Sequence, residues 1–306
     1  MRRNRLGSSE LLASEIGLGC MSLGVEEAKA IAIIHEALEN GINFLDTADL
    51  YDAGRNEELV GKAIKHRRED VILATKVGNR RMPGKDGWTW DPSKAYIHSA
   101  VRDSLRRLGT DYIDLYQLHG GTIEDPIEET IEAFEELKRD GLIRYYGISS
   151  IRPNVIREYV QRSGIVSLMS QYSMLDRRPE EETLSLLGSR GIGLIARGPL
   201  ASGLLTASGE RKTEQERGYL DYRTGAELRE VRLQLLELTG GSRTLEQLAI
   251  RYVLSDPSVS IALPGASSLE QLRSNLAAGR AAPLRPDEKA AIQAVTLANQ
   301  YTVHRE

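Results

Sequence analysis

A chain of 306 residues is long enough for two average domains or one large α/β barrel, and length alone does not choose. Its 41% hydrophobic and 27% charged residues suffice for a full core, and a net charge of −4 with no polybasic block excludes nucleic acid and anionic membrane as expected partners. No apolar run approaches the roughly 18–20 residues of a membrane span, and the lone cysteine, Cys20, rules out an internal disulfide and fits a reducing cytoplasm.

The amino-terminal MRRNRLGSSELLASEIG is basic but lacks the apolar core of a secretion signal, and the stretch before residue 15 reads as a short hairpin. From there short β-branched runs alternate with longer amphipathic segments. The strands are predicted at 15–24, 42–48, 71–77, 113–119, 143–150, 165–173, 192–200 and 259–266. Most are near-continuous apolar runs, as parallel strands buried on both faces require. Between them Ile97, Val101, Leu105 and Leu108 mark one apolar face over 93–109, and Ile127, Ile131, Phe134 and Leu137 another over 127–140. Asp91-Pro92 and Asp125-Pro126 predict N-caps followed by proline. Thr244-x-x-Gln247 and Ser268-x-x-Gln271 predict capping boxes, and Gly141, Gly164 and Gly191 predict helix stops. An extra helix is predicted over 285–301. Eight regular βα units without a linker predict one α/β domain over 1–306, a (β/α)8 barrel with an amino-terminal hairpin and a carboxy-terminal helix. A doubly wound sheet fits less well, because no early G-x-G-x-x-G is present.

Strand carboxyl ends of such a barrel face the active site. Asp46, Lys76 and His119 end the second, third and fourth predicted strands, and Tyr51 follows Asp46 by five residues in NFLDTADLYDAGRNEELVG. Each alone is ordinary; together they define a chemistry. A phenol titrates at about 10, and a neighbouring ammonium lowers that value. Asp46 is expected to hold Lys76 charged, Lys76 to lower the Tyr51 pKa, and Tyr51 to give up a proton, with His119 orienting a carbonyl. Asp49 and Asp52 read as turn formers. The set lacks a nucleophile and a second carboxylate at glycosidase spacing, so it needs a partner reagent.

The motifs NFLDTADLYDAGRNEELVG, ATKVG, YQLH, GISS, SQYS, RGPLASGLL and LPGASSLEQLRSN occur in the order and spacing of the aldo-keto reductases, and the chain resembles that family from about residue 5 to 280. The resemblance implies a TIM barrel that reduces aldehydes or ketones with a nicotinamide cofactor and no metal, with Asp46, Tyr51, Lys76 and His119 as the catalytic set. NADPH is the implied coenzyme, NADH the alternative. By resemblance, Ser149 and Gln171 meet the nicotinamide carboxamide, Gly198, Pro199, Leu200 and Gly203 pass the pyrophosphate, and Asn275 binds adenine. Gly19, Cys20 and Met21 lie where the backbone approaches the nicotinamide ribose, and Asp46 is a further cofactor contact. Three positions depart from the family pattern. Ser150 stands where many relatives have asparagine, and Arg197 where many have a stacking tyrosine. Gly265, Ser267 and Gln271 stand where basic residues often hold a coenzyme phosphate; Arg273 or Arg211-Lys212 are the substitutes available.

The long loop 78–91 carries Trp88 and Trp90, which suit an apolar or aromatic carbonyl compound, while its Arg80, Arg81 and Lys85 allow an acidic one. The loop 201–224 reads as a lid. Two other classes compete with a reductase: a cofactor-binding sensor with little turnover, and a metal hydrolase built on Asp46, Asp49 and His119. The hydrolase is the weaker, since His35, His66, His98 and His304 lie at no ligand spacing from these.

Overall fold

The computed structural model describes residues 1–82, 87–215 and 217–306. The chain begins with the expected hairpin, β1 (Arg3–Arg5) antiparallel to β2 (Leu12–Ser14). There follow β3 (Leu18–Gly19), β4 (Phe44–Asp46), β5 (Ile72–Val77), β6 (Asn79–Arg81), β7 (Trp88–Trp90), β8 (Ile113–Leu118), β9 (Ile143–Ser149), β10 (Ser167–Gln171), β11 (Gly193–Arg197) and β12 (Val259–Leu263). All of these except β6 and β7 pair in parallel in one eight-stranded sheet, in chain order. Bridges from Ile16 to Ala262 and from Gly19 to Gly265 join its two edges, so the predicted barrel closes. The strands are shorter than predicted because the apolar runs extend into the turns at either end.

Helices α1 (Glu27–Glu39), α2 (Arg55–Ile64), α3 (Lys94–Leu108), α4 (Ile127–Arg139), α5 (Pro153–Arg162) and α6 (Thr183–Arg190) form the outer layer of the first part. It is completed by α7 (Glu210–Thr213), α8 (Gly225–Leu238), α9 (Leu245–Val253), α10 (Leu269–Ala278) and α11 (Pro286–Val295). The predicted helical faces are the buried ones: in α4, Phe134 lies between the rings of Tyr116 and Tyr146, with centroids 5.6 and 5.4 Å away.

Several end signals shifted. Ser93 caps α3, accepting from the Tyr96 amide, while Asp91 binds Ser93 instead. The N-cap of α4 is Pro126 without a side-chain bond, because Asp125 is spent on Thr122 and on the indole of Trp90. Thr244 and Gln247 make the full capping box. Ser268 makes only half of one, since the Gln271 amide oxygen accepts from Ser267. Helix α11 ends at Val295, short of the predicted 301.

Side chains alternate across a strand, so one register fills the barrel and furnishes its mouth. The inward set Phe44, Ile72, Ala74, Leu115, Met169, Ile195 and Ile261 packs with Leu6, Leu11 and Ala13 of the hairpin region, which plugs the amino-terminal end. Two residues further along the same faces come Asp46, Lys76, Gln117, Gln171, Arg197 and Leu263. The polar site is the continuation of the apolar core.

Candidate active site

Lys76 is the centre of the mouth and is fully buried. Its ammonium donates to Asp46 Oδ2 at 2.7 Å, to the Thr47 carbonyl at 2.8 Å and to the Tyr51 hydroxyl at 3.2 Å. Three acceptors satisfy its three protons. Asp46 in turn accepts from Gln117 Nε2 at 3.2 Å. The Tyr51 ring stands edge-on to His119, with centroids 5.9 Å apart. The four residues expected from strand-end register therefore converge, and Gln117 joins them. Gln117 was missed in the sequence, although its place two residues before His119 on an inward face was the signal available.

The electrostatics differ from the sequence expectation at one point. Burial opposes the Lys76 charge, but Asp46 and Tyr51 outweigh it and carry the ammonium above the ordinary lysine value. Burial pushes the Asp46 carboxyl up against the stabilising Lys76 charge. Tyr51 was expected to fall; burial raises it, and the opposing pull of Lys76 does not overcome burial together with the Asp46 charge. His119 is pushed down to about 3 by burial and by the Lys76 and Arg197 charges, so its ring is neutral. Its buried Nδ1 has no hydrogen-bond partner among the described residues.

Asp52 is an exposed turn residue with φ of +45°, as expected. Asp49 also lies in the turn, as expected, but it is buried, and one of its oxygens is unpartnered among the described residues. The local sequence offered no sign of this burial, because Arg107 and Tyr96 of α3 reach the residue from a distant part of the chain.

The other half of the mouth is looser. Ser149 and Gln171 end neighbouring strands, and Gln171 Nε2 donates to the Tyr219 hydroxyl at 2.9 Å. Tyr219, which reaches the mouth from the 201–224 loop, is a second residue the sequence did not single out. Ser150 is buried and accepts from the Arg152 amide, and Arg197 pairs in register with Gln171. Gly198 has φ of +65°, and a Cβ there would meet nothing nearer than Gln171 Cγ at 4.0 Å, so open space lies beside it. After Pro199 and Leu200, the turn over Ala201–Gly203 holds Ala201, Ser202 and Gly203 at positive φ, and Lys212 Nζ donates to the Ser202 carbonyl. Cys20 is buried in the turn after β3 and burial pushes its thiol up, whereas Met21 is 63% exposed. Asn275 donates to the Gly265 carbonyl at 3.1 Å. Arg273 is engaged by both oxygens of Glu36, at 2.6 and 3.1 Å, which removes it as a free phosphate ligand.

The tryptophans divide. Trp90 anchors the β6–β7 hairpin: its indole donates to Asp125 and its ring covers Gly78 and Gly120. Trp88 is 51% exposed. Arg80 bonds Asp91 and Arg81 the Ala53 carbonyl, and Lys85 lies outside the described residues. An open groove of about 840 Å³ lies at the opposite end of the barrel among Arg3, Glu10, Asp70, Asp114 and Arg144. It mixes charges of both signs and is far from the converging strand ends. No cluster of possible metal ligands and no membrane-length apolar helix occurs among the described residues.

The chain matches the Aldo/keto reductase family over residues 15–296. It is 56% identical to the "Uncharacterized oxidoreductase YqkF" of Bacillus subtilis (strain 168), each protein being covered in full. It aligns with the aldo-keto reductase AKR11C1 from Bacillus halodurans over the whole of both chains, with a TM-score of 0.95 and 57% identity for the holo form. For the apo form the values are 0.86 and 52%. The barrel, the convergent mouth and these likenesses agree: the chain belongs to the aldo/keto reductase family.

Proposed function

We propose that the protein is an NADPH-dependent carbonyl reductase, with Tyr51 as proton donor and the whole chain acting as one catalytic domain. The observation that carries this is the buried Lys76 ammonium held between Asp46 and the Tyr51 hydroxyl. The mouth fits a nicotinamide nucleotide: space is open beside Gly198, Ser149 and Gln171 offer polar groups on adjoining strand ends, and Gly19 and Gly265 keep the opposite wall thin. The higher similarity to the holo form of the Bacillus halodurans enzyme supports the same reading.

A bound nicotinamide nucleotide supplies a hydride to the carbonyl carbon. Tyr51 gives its phenolic proton to the carbonyl oxygen, which completes the alcohol. Its raised pKa keeps it protonated at neutral pH, and an alkoxide is a far stronger base than the phenolate left behind. Lys76, 3.2 Å from that oxygen, stabilises the phenolate as it forms. Asp46 fixes Lys76, and Gln117 fixes Asp46. Neutral His119 can offer a hydrogen bond to the substrate oxygen and orient it, while the transferred proton comes from Tyr51.

The substrate we infer is an apolar or aromatic aldehyde or ketone. Exposed Met21, Met82, Trp88, Ile123 and Leu220 stand on loops after barrel strands, while Arg80 and Arg81 are already engaged. Tyr51→Phe is expected to lower kcat roughly 100- to 10,000-fold with 4-nitrobenzaldehyde, with coenzyme affinity nearly unchanged. Near-normal turnover by that variant would exclude Tyr51 as the acid.

A further inference from the structure

The turn that carries Tyr51 is strained. Asp52, Ala53 and Gly54 occupy successive left-handed conformations, with φ of +45°, +63° and +89°. Such a run persists only when its surroundings hold it. Arg81 Nη1 donates to the Ala53 carbonyl at 3.1 Å. The stem of Arg107 lies so near Gly54 that a Cβ there would meet its Cδ at 2.8 Å. The Arg107 guanidinium is fixed on buried Glu57 at 2.6 Å, and Glu57 also accepts from Thr75 of β5 at 2.7 Å.

Asp49 sits beside this brace. It is 8% exposed, its amide donates to the Lys76 carbonyl at 3.4 Å, and its Oδ1 has no partner among the described residues. The groups facing it are Glu57 of α2, Arg107 and Tyr96 of α3, Lys76 of β5, and Tyr116 of β8, whose buried hydroxyl is also unpartnered among the described residues. Burial and Glu57 oppose a charge there, and only Arg107, the Leu50 amide and Lys76 favour it, so ionisation favours admitting water by loosening the turn or drawing Arg107 from Glu57. Both movements pull on Gly54.

We propose that Asp49 is a positioning residue for the proton donor: protonated, it leaves Arg107 on Glu57 and the strained turn in place; ionised, it displaces the brace and moves the Tyr51 hydroxyl off Lys76. The inference rests on Tyr51 being the donor. Burial first, and then the Glu57 charge, push the Asp49 carboxyl up to about 7, so its ionisation falls in the working range. His119, at about 3, and Tyr51, above its ordinary value, give no limb near neutrality.

The experiment is kcat against pH with NADPH and 4-nitrobenzaldehyde for the wild type, Asp49→Asn, Glu57→Gln and Tyr51→Phe, with melting temperatures alongside. Wild-type kcat is expected to fall roughly tenfold as pH rises through about 7. Asp49→Asn, which copies the neutral acid, stays within about twofold of the wild type on the acid side and loses that limb. Glu57→Gln removes a like charge and frees Arg107, so the midpoint moves to lower pH. The raised folded-state value means that the wild type loses stability as pH rises from about 4 to about 7, so the melting-temperature advantage of Asp49→Asn grows over that window. An Asp49→Asn profile that overlays the wild type overturns the proposal, even if Glu57→Gln does not fold. So does an advantage that stays constant with pH. An active Tyr51→Phe instead removes the donor assignment and the proposal with it, whereas an inactive one beside an overlaid Asp49→Asn profile sinks the proposal alone.

Discussion

The two halves of the barrel mouth are built on different terms. On the β4–β5–β8 side, strand-borne side chains hold one another in buried contacts: Lys76 meets Asp46, Thr47 and Tyr51, and Gln117 meets Asp46. On the side running from β10 to β12 and the helices beyond it, long side chains and loops take partners near the surface: Gln171 takes Tyr219, Lys212 takes Ser202, and Arg273 of α10 takes Glu36 of α1. The first half is rigid because the buried Lys76 ammonium places all three of its protons on protein acceptors, although Gln117 Oε1 and His119 Nδ1 have no partner among the described residues. The second keeps its groups where a ligand can compete for them.

The largest expected effect lies in the rigid half. Lys76→Met strands the buried Asp46 carboxylate without its ion partner, which costs about 3–5 kcal/mol of folding stability. Turnover is lost with it. Adding Asp46→Leu removes the stranded charge, so the double variant is expected to recover much of the stability and none of the activity. Denaturant unfolding with parallel turnover assays separates the two roles. Activity in the stable double variant would mean that the pair serves the fold alone.

The same division explains what could be read in advance. Eight strands, the closing hairpin and the Asp46–Lys76–His119 rim were legible because short apolar runs alternate with amphipathic segments, and the carboxyl ends of barrel strands gather at one rim. Tyr51 was legible because it follows Asp46 closely. Gln117 obeyed the same rule and was overlooked for want of a charge. Asp49 was not legible, since its burial depends on Glu57 and Arg107 arriving from two helices. The caps at Asp91 and Asp125 failed because other side chains took the same carboxylates: the neighbouring Ser93 bonds Asp91 and caps the helix itself, and the distant Trp90 bonds Asp125. Tyr219 belongs to a loop whose course no periodicity dictates.

In the looser half, coenzyme choice is expected to respond to a charge change that touches no catalytic group. Arg273 is held by Glu36 at the surface, beside the segment that resembles the coenzyme-phosphate site. Glu36→Gln releases the guanidinium and removes a nearby negative charge, so the NADPH over NADH ratio of kcat/KM rises by about threefold. Rates with both coenzymes, measured at low and high salt, provide the check, and the gain should shrink with salt. A wild-type preference for NADH of about tenfold would reverse the coenzyme assignment itself.

The smallest effect concerns Tyr219. Its hydroxyl accepts the Gln171 amide at 2.9 Å, which leaves the Gln171 oxygen free. Two outcomes are physically distinct. If Tyr219 orients Gln171 for a ligand, Tyr219→Phe lets the amide rotate and weakens coenzyme binding. If the bond competes with the ligand, the same change tightens it. The bond holds the Gln171 amide in one orientation at the strand end that pairs with Arg197. Orientation is therefore the expected role. The loss of one neutral hydrogen bond, about 1 kcal/mol, corresponds to about fivefold weaker coenzyme binding with kcat little changed. Fluorescence titration of the reduced coenzyme reads the sign directly, and tighter binding by Tyr219→Phe would make Tyr219 a competitor that the coenzyme must displace.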